Sequence, residues 1–169
     1  MIFESHAHYE DARFDEDREA LLSSFPQKGI DYVVNVGSSL KTTQQSIALA
    51  KQYDFIYAAA GVHPEETAEL NEENFAWLCE QMKQEKVVAV GEIGLDYHWD
   101  EPERKIQKVW FERQIALARQ VSLPMIIHSR DAAQDTLDIM KVCKAEEAGG
   151  VIHCFSYGVE MARECLNMG

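Results

Sequence analysis

Val87-Val88-Ala89-Val90-Gly91-Glu92-Ile93-Gly94-Leu95-Asp96-Tyr97 begins as a run apolar on both faces and ends with a carboxylate set between glycines. A strand apolar at successive positions is buried on both sides, as in a parallel sheet covered by helices. Tyr32-Val33-Val34-Asn35-Val36 reads the same way. Working outward, strands are expected over Ile2–His6, Tyr32–Val36, Ile56–Ala60, Val87–Ile93, Met125–Ser129 and Val151–Cys154. Between them apolar residues recur at helical spacing, as in Phe75, Leu78, Cys79 and Met82, then Phe111, Ile115 and Ala118, and these stripes are core faces. Helix starts are marked by Ser38 or Ser39 before Leu40, by Asn71 before Glu72, and by Asp131 with Gln134 in capping-box spacing. Strands alternating with helices make an α/β fold, and the right-handed crossover rule leaves a doubly wound sheet or a barrel wall. A closed eight-unit (β/α) barrel needs about 250 residues. This chain has 169, enough for six units in one incomplete domain over residues 1–169.

The composition, 46% hydrophobic and 27% charged with 9 Gly and 4 Pro, excludes collagen-like and low-complexity sequence. A net charge of -13 repels a phosphate backbone unless bound cations offset it locally. No apolar run approaches the roughly 20 residues of a membrane span, and no basic segment leads into an apolar one at the N-terminus, so a cytoplasmic protein without membrane partners is expected. Cys79, Cys143, Cys154 and Cys165 show no CxxC spacing and read as reduced, buried thiols.

The histidines concentrate where chemistry is expected. Three residues at each of six strand ends are about 18 positions, where chance would place roughly 0.6 of the six histidines. Five fall there: His6, His8, His63, His128 and His153. Side chains two apart on a strand share a face, so His6 and His8 can reach one ion, with Glu4 at the same parity one step deeper. Glu92 ends the fourth strand, where burying a carboxylate is costly unless a cation or donors pair with it. The flanking glycines allow close approach of a ligand or a neighbouring strand. His128 and His153 end the fifth and sixth strands on the same rim, and this density of nitrogen and oxygen donors suits one or two borderline divalent ions. Arg130 suits a forked phosphate contact. His63, before Pro64, suits a substrate contact or an acid role, against a turn-stabilising role. Asp96 reads as a turn residue, Asp131 as a helix N-cap, and His98 as solvent-facing in a loop over the site. Ser5, Ser129, Ser156 and Cys154 adjoin histidines in sequence and so face the opposite side of their strands; no G-x-S-x-G elbow or glycine-rich phosphate loop is present.

Glu4-Ser5-His6-Ala7-His8, Gly61-Val62-His63-Pro64, Gly91-Glu92-Ile93-Gly94-Leu95-Asp96-Tyr97, His128-Ser129-Arg130-Asp131-Ala132 and His153-Cys154-Phe155-Ser156, in this order across the chain, resemble the TatD family of metal-dependent deoxyribonucleases. The resemblance implies a (β/α)8 TIM-type barrel, of which six units are present, and a two-metal centre of Mg, Mn or Zn. In it Glu92 bridges, His6 and His8 hold one ion, and His128 and His153 hold the other. It also implies hydrolysis of DNA phosphodiester bonds, and from their own positions His63 and Arg130 are the expected substrate contacts beside Glu92. Glu4 stands where members carry Asp, and the family's ligand aspartate near the last strand has no counterpart within residues 1–169. From this a truncated product is expected, with the Glu92, His128 and His153 half-site holding one ion, the His6 and His8 half-site weakened, and open sheet edges that invite self-association. Two other readings follow from the same donors: a hydrolase acting on ester or amide carbonyls, and an inactive fragment.

Overall fold

The computed structural model describes residues 1–169. Six parallel strands pair strictly in sequence order: β1 (Ile2–Ala7), β2 (Ile30–Val36), β3 (Ile56–Ala60), β4 (Val87–Asp96), β5 (Met125–Arg130) and β6 (Gly150–Ile152). Sequential order, with no reversal point, excludes the doubly wound alternative and gives a curled wall of barrel type whose margins are β1 and β6. A helix follows each strand: α1 (Arg18–Ser23), α2 (Leu40–Gln52), α3 (Glu72–Gln81), α4 (Arg104–Val121), α5 (Ala133–Val142) and α6 (Val159–Asn167). None is long and apolar enough to cross a membrane.

The both-faced apolar strands are divided as parallel burial requires. Val33, Ile56, Val90 and Ile93 pack outward against Leu78 of α3 and Phe111 and Ile115 of α4, while Val34, Val36, Ala59, Ala89 and Ile126 pack together on the inner face. Ser39 and Asn71 cap α2 and α3 through their side chains, as their positions in the sequence require.

Four expectations need correction. First, Asp131 does not cap α5: the N-cap is Ala132, and Asp131 takes a left-handed conformation with its carboxylate on His98. Second, β4 runs three residues past Ile93 to Asp96, because Gly94 lets the chain stay paired with β5, where a Cβ would collide with the carbonyl oxygen of His128. Asp96 is therefore a strand residue. Third, Glu4 does not share the face of His6. Glu4 pairs with Val33 and Ala7 with Asn35, three residues on β1 against two on β2, so a bulge resets the alternation. Glu4 thus lies on the outward side with Val33, and its Oε1 accepts from His6 N. Fourth, Cys154 is exposed just past β6, and Cys79, Cys143 and Cys165 are half-buried; all four are free thiols.

Candidate metal centre

The C-terminal ends of β1, β4, β5 and β6 bring five donor residues to one rim. Glu92 is 4% exposed and its two carboxylate oxygens face different imidazoles. Oε2 lies 3.2 Å from His6 Nε2 and 3.8 Å from His8 Nε2, and Oε1 lies 3.3 Å from His128 Nδ1. His6 and His8 point Nε2 at Nε2 across 3.1 Å, so the strand-end pair does converge. His153 stacks on His6 with centroids 3.5 Å apart. Donor atoms of His6, Glu92 and His153 lie within 4.8 Å of one another. His153 thus groups with His6 and Glu92, while His128 meets the other oxygen of Glu92.

Local structure explains how Glu92 reaches this point. Gly91 packs so tightly on β5 that a Cβ would stand 2.6 Å from that of Ile126, and Gly61 at the end of β3 presses equally on Gly91. The glycines serve contact between neighbouring strands, and Glu92 N donates to Gly37 O at 2.8 Å beyond β2. Burial pushes the Glu92 carboxyl up, but hydrogen bonds from His128 and His6 outweigh it and hold the pKa well below the ordinary carboxylate range. His128 shows the converse, with burial opposed and exceeded by the two carboxylates Glu92 and Asp96, so its pKa is raised. Glu10 raises that of His8 against burial, and burial lowers that of His153.

The donor set fits a divalent cation. His8 Nδ1 lies 2.8 Å from Val36 O, which can only accept, so the proton sits on Nδ1 and Nε2 carries a lone pair. That lone pair faces a second imidazole nitrogen and a carboxylate oxygen. His6 Nδ1 is buried with no hydrogen-bond partner in the protein. A buried nitrogen without a partner, beside a cluster of imidazole and carboxylate atoms, is costly in a closed polypeptide and becomes favourable around a borderline ion.

His63 takes the turn-stabilising role. It caps the turn at Pro64–Glu69, where Nδ1 accepts from Glu65 N at 3.3 Å, and its ring lies 4.3 Å from that of His128. Burial, together with the neighbouring His128, pushes its pKa down to about 4. Arg130 is exposed at the end of β5, in register with Asp96. His98 is 41% exposed over the rim, as its loop position requires.

A supporting layer lies behind these groups, and the motifs did not reveal it. Glu10, 7% exposed, accepts from Asn35 Nδ2 at 2.6 Å and stands 3.6 Å from His8 Nδ1. Asn35 is fully buried and also bonds Tyr9 N and Ser46 Oγ. On α4, Gln114 bonds both Val62 N and Val62 O, fixing the residue before His63, and Gln107 does the same for Asp96. One signal was available in the sequence. Gln107 and Gln114 are seven apart, on the same helical face as Phe111 and Ala118, where a polar residue is buried only with a partner.

Comparison with known proteins gives the family. The family model described as TatD related DNase matches residues 3–169. The uncharacterized metal-dependent hydrolase YabD of Bacillus subtilis is 45% identical over 168 residues, covering 99% of this chain and 66% of the relative. The 3'-5' ssDNA/RNA exonuclease TatD of Cronobacter turicensis is 33% identical over 158 residues, covering 94% of this chain and 60% of the relative. Among solved structures, the TatD homolog YjjV of Escherichia coli superposes with a TM-score of 0.90 at 29% identity, over 99% of this chain and 65% of that one. The chain therefore spans a little under two thirds of the length of these relatives.

Proposed function

The chain belongs to the TatD-related DNase family, and on that premise we propose that its rim cluster is a two-cation centre for hydrolysis of phosphodiester bonds in single-stranded DNA or RNA, acting from an end. The observation that carries this reading is the division of Glu92, with one oxygen toward His6 and His8 and the other toward His128. Glu92 with His6 and His8 would hold one cation and Glu92 with His128 and His153 the other, although His153 as placed stacks on His6. Zinc, manganese or magnesium held by these residues would supply Lewis-acid polarisation of the phosphoryl group and acidify water toward neutrality.

The chain's own residues have separate tasks in this scheme. Glu92 is held ionised by its neighbours His128 and His6, so a negative charge is available to a cation. His63 remains uncharged at neutral pH, and with Nδ1 accepting from Glu65 N its proton is on Nε2, a neutral donor for a phosphoryl oxygen. Arg130, exposed at the same rim, is proposed to hold a second phosphate oxygen in a fork. Arg130 and the bound cations would draw a phosphate backbone to a protein of net charge -13.

The test is nucleotide release from an end-labelled single-stranded oligonucleotide, run beside an aminoacyl ester, with manganese and then with excess chelator. Metal-dependent release of mononucleotides, lost in Glu92→Gln, is expected. Turnover of the ester alone would move the activity to carbonyl substrates, and release that survives chelation would reject the centre.

A further inference from the structure

Asp96 is 2% exposed, and the division of its two oxygens is as specific as that of Glu92. Oδ1 accepts from His98 N at 2.9 Å and, more weakly, from Trp99 N at 3.4 Å, so it is committed to the backbone of the following loop. Oδ2 lies 2.9 Å from His128 Nε2. The residue cannot drift, because Gln107 of α4, itself fully buried, accepts from Asp96 N at 2.9 Å and donates to Asp96 O and Pro102 O, both at 2.9 Å.

Both ring nitrogens of His128 face carboxylates, which can only accept, Nε2 at 2.9 Å from Asp96 Oδ2 and Nδ1 at 3.3 Å from Glu92 Oε1, and the single proton of the neutral ring goes to the shorter contact, on Nε2. In a neutral imidazole the lone pair is then on Nδ1, which is the nitrogen 3.3 Å from Glu92 Oε1. We infer that Asp96, clamped by Gln107, is a positioning residue that fixes the tautomer of His128 and so presents its Nδ1 lone pair to the cation centre. This assignment deepens the function proposed above and rests on it for the identity of what Nδ1 faces. Such partners of metal-binding histidines typically contribute 10–100-fold to metal affinity.

The same geometry decides against a separate cation position of His63, Asp96 and His128, although their donor atoms lie within 4.8 Å of one another. A ring with one lone pair serves one side only. Ligation through Nε2 would break the 2.9 Å hydrogen bond to an Asp96 that Gln107 holds in place.

Asp96→Asn separates the alternatives. Its single amide oxygen stays with the two backbone donors, the NH2 group then faces Nε2, and the ring must move its proton to Nδ1 to accept. Substituting Asn for Asp behind a catalytic histidine acts in this way elsewhere, preserving geometry while imposing the wrong tautomer. The experiment uses the whole chain with 15N-labelled histidine at alkaline pH without metal, and reads the His128 ring nitrogens by NMR, followed by calorimetric zinc titration. Wild type is expected with its proton on Nε2 and Asp96→Asn with its proton on Nδ1, together with zinc affinity lowered about 10- to 100-fold and partly restored in Asp96→Glu. Wild type with the proton on Nδ1 overturns the assignment even if no variant folds. So does Asp96→Asn with an unchanged tautomer or unchanged zinc affinity. If the tautomer moves as expected and wild type takes up no zinc, the positioning role stands and the cation centre fails.

Discussion

The β4–α4 unit and the β6–α6 unit share one sequence plan but differ sharply in how much they bury. β4 is buried at nearly every position along its ten residues, and α4 packs Trp110, Phe111, Ile115, Leu117 and Ala118 against it along with two fully bonded glutamines. β6 has three residues, none buried, and α6 buries Met161 alone while Val159 and Leu166 stay 56% and 78% exposed. An apolar cavity of about 400 Å³ opens beside α6, lined by Met140, Ile152, Phe155, Cys165 and Leu166 among others. The site's anchor, Glu92, comes from the tightly packed unit, and His153 comes from the loose one. Rigidity at the centre therefore depends on α4 and its contacts, with the last unit supplying a donor from a less constrained backbone.

The largest effect that tests this contrast is a truncation in each helix. Phe111→Ala is expected to lose about 3–5 kcal/mol, because the ring is fully buried between α4 and the sheet. Leu166→Ala should change stability by less than about 0.5 kcal/mol. Denaturant titration of both variants reads the difference, and equal losses would break the comparison.

Acid is expected to act through the packed side as well. The His63 pKa is about 4 in the folded chain against 6.5 in the unfolded one, so the unfolded state binds more protons between these values and stability falls as pH drops from 6.5 to 4. The loss is on the order of 3 kcal/mol. His63→Gln should flatten that part of the pH–stability curve, and an unchanged slope would show that His63 is not buried neutral. Above this window the raised pKa values of His8 and His128 act in the opposite sense: their contribution is full below the unfolded value of 6.5 and is lost as pH rises through their folded values.

A smaller effect sharpens the role of α4. Gln114→Leu leaves Val62 N and O without their partner and is expected to cost about 1–3 kcal/mol. Because Val62 precedes His63, the His63 side-chain NMR signals should broaden or shift in this variant, whereas Gln134→Leu on exposed α5 surface should leave them unchanged.

Much of the fold and of the donor set was legible in the sequence, for reasons particular residues show. The runs at Tyr32–Val36 and Val87–Val90 announce parallel strands because burial on both faces requires apolar residues at successive positions. The donors at His6, His8, Glu92, His128 and His153 were legible because parallel strands deliver their C-terminal ends to one rim. Glu4 was misplaced because strict alternation fails at a bulge, and a bulge set by pairing with a second strand leaves no local trace. Asp131 was misread because an Asp before a helix serves equally as a cap or as a left-handed turn residue, and here the neighbouring His98 favours the turn. Asp96 was taken for a turn because nothing in the local sequence shows that Gln107, eleven residues on, returns to hold it in the strand.

The central claim, that imidazoles from three strands and one carboxylate share divalent cations, is tested most directly by an anomalous-difference map from crystals grown with zinc or manganese. Density peaks on both sides of the Glu92 carboxylate are expected, one against His6 and His8 and one against His128 and His153. A map without a peak among these side chains, or with ions bound only elsewhere on the acidic surface, would contradict it.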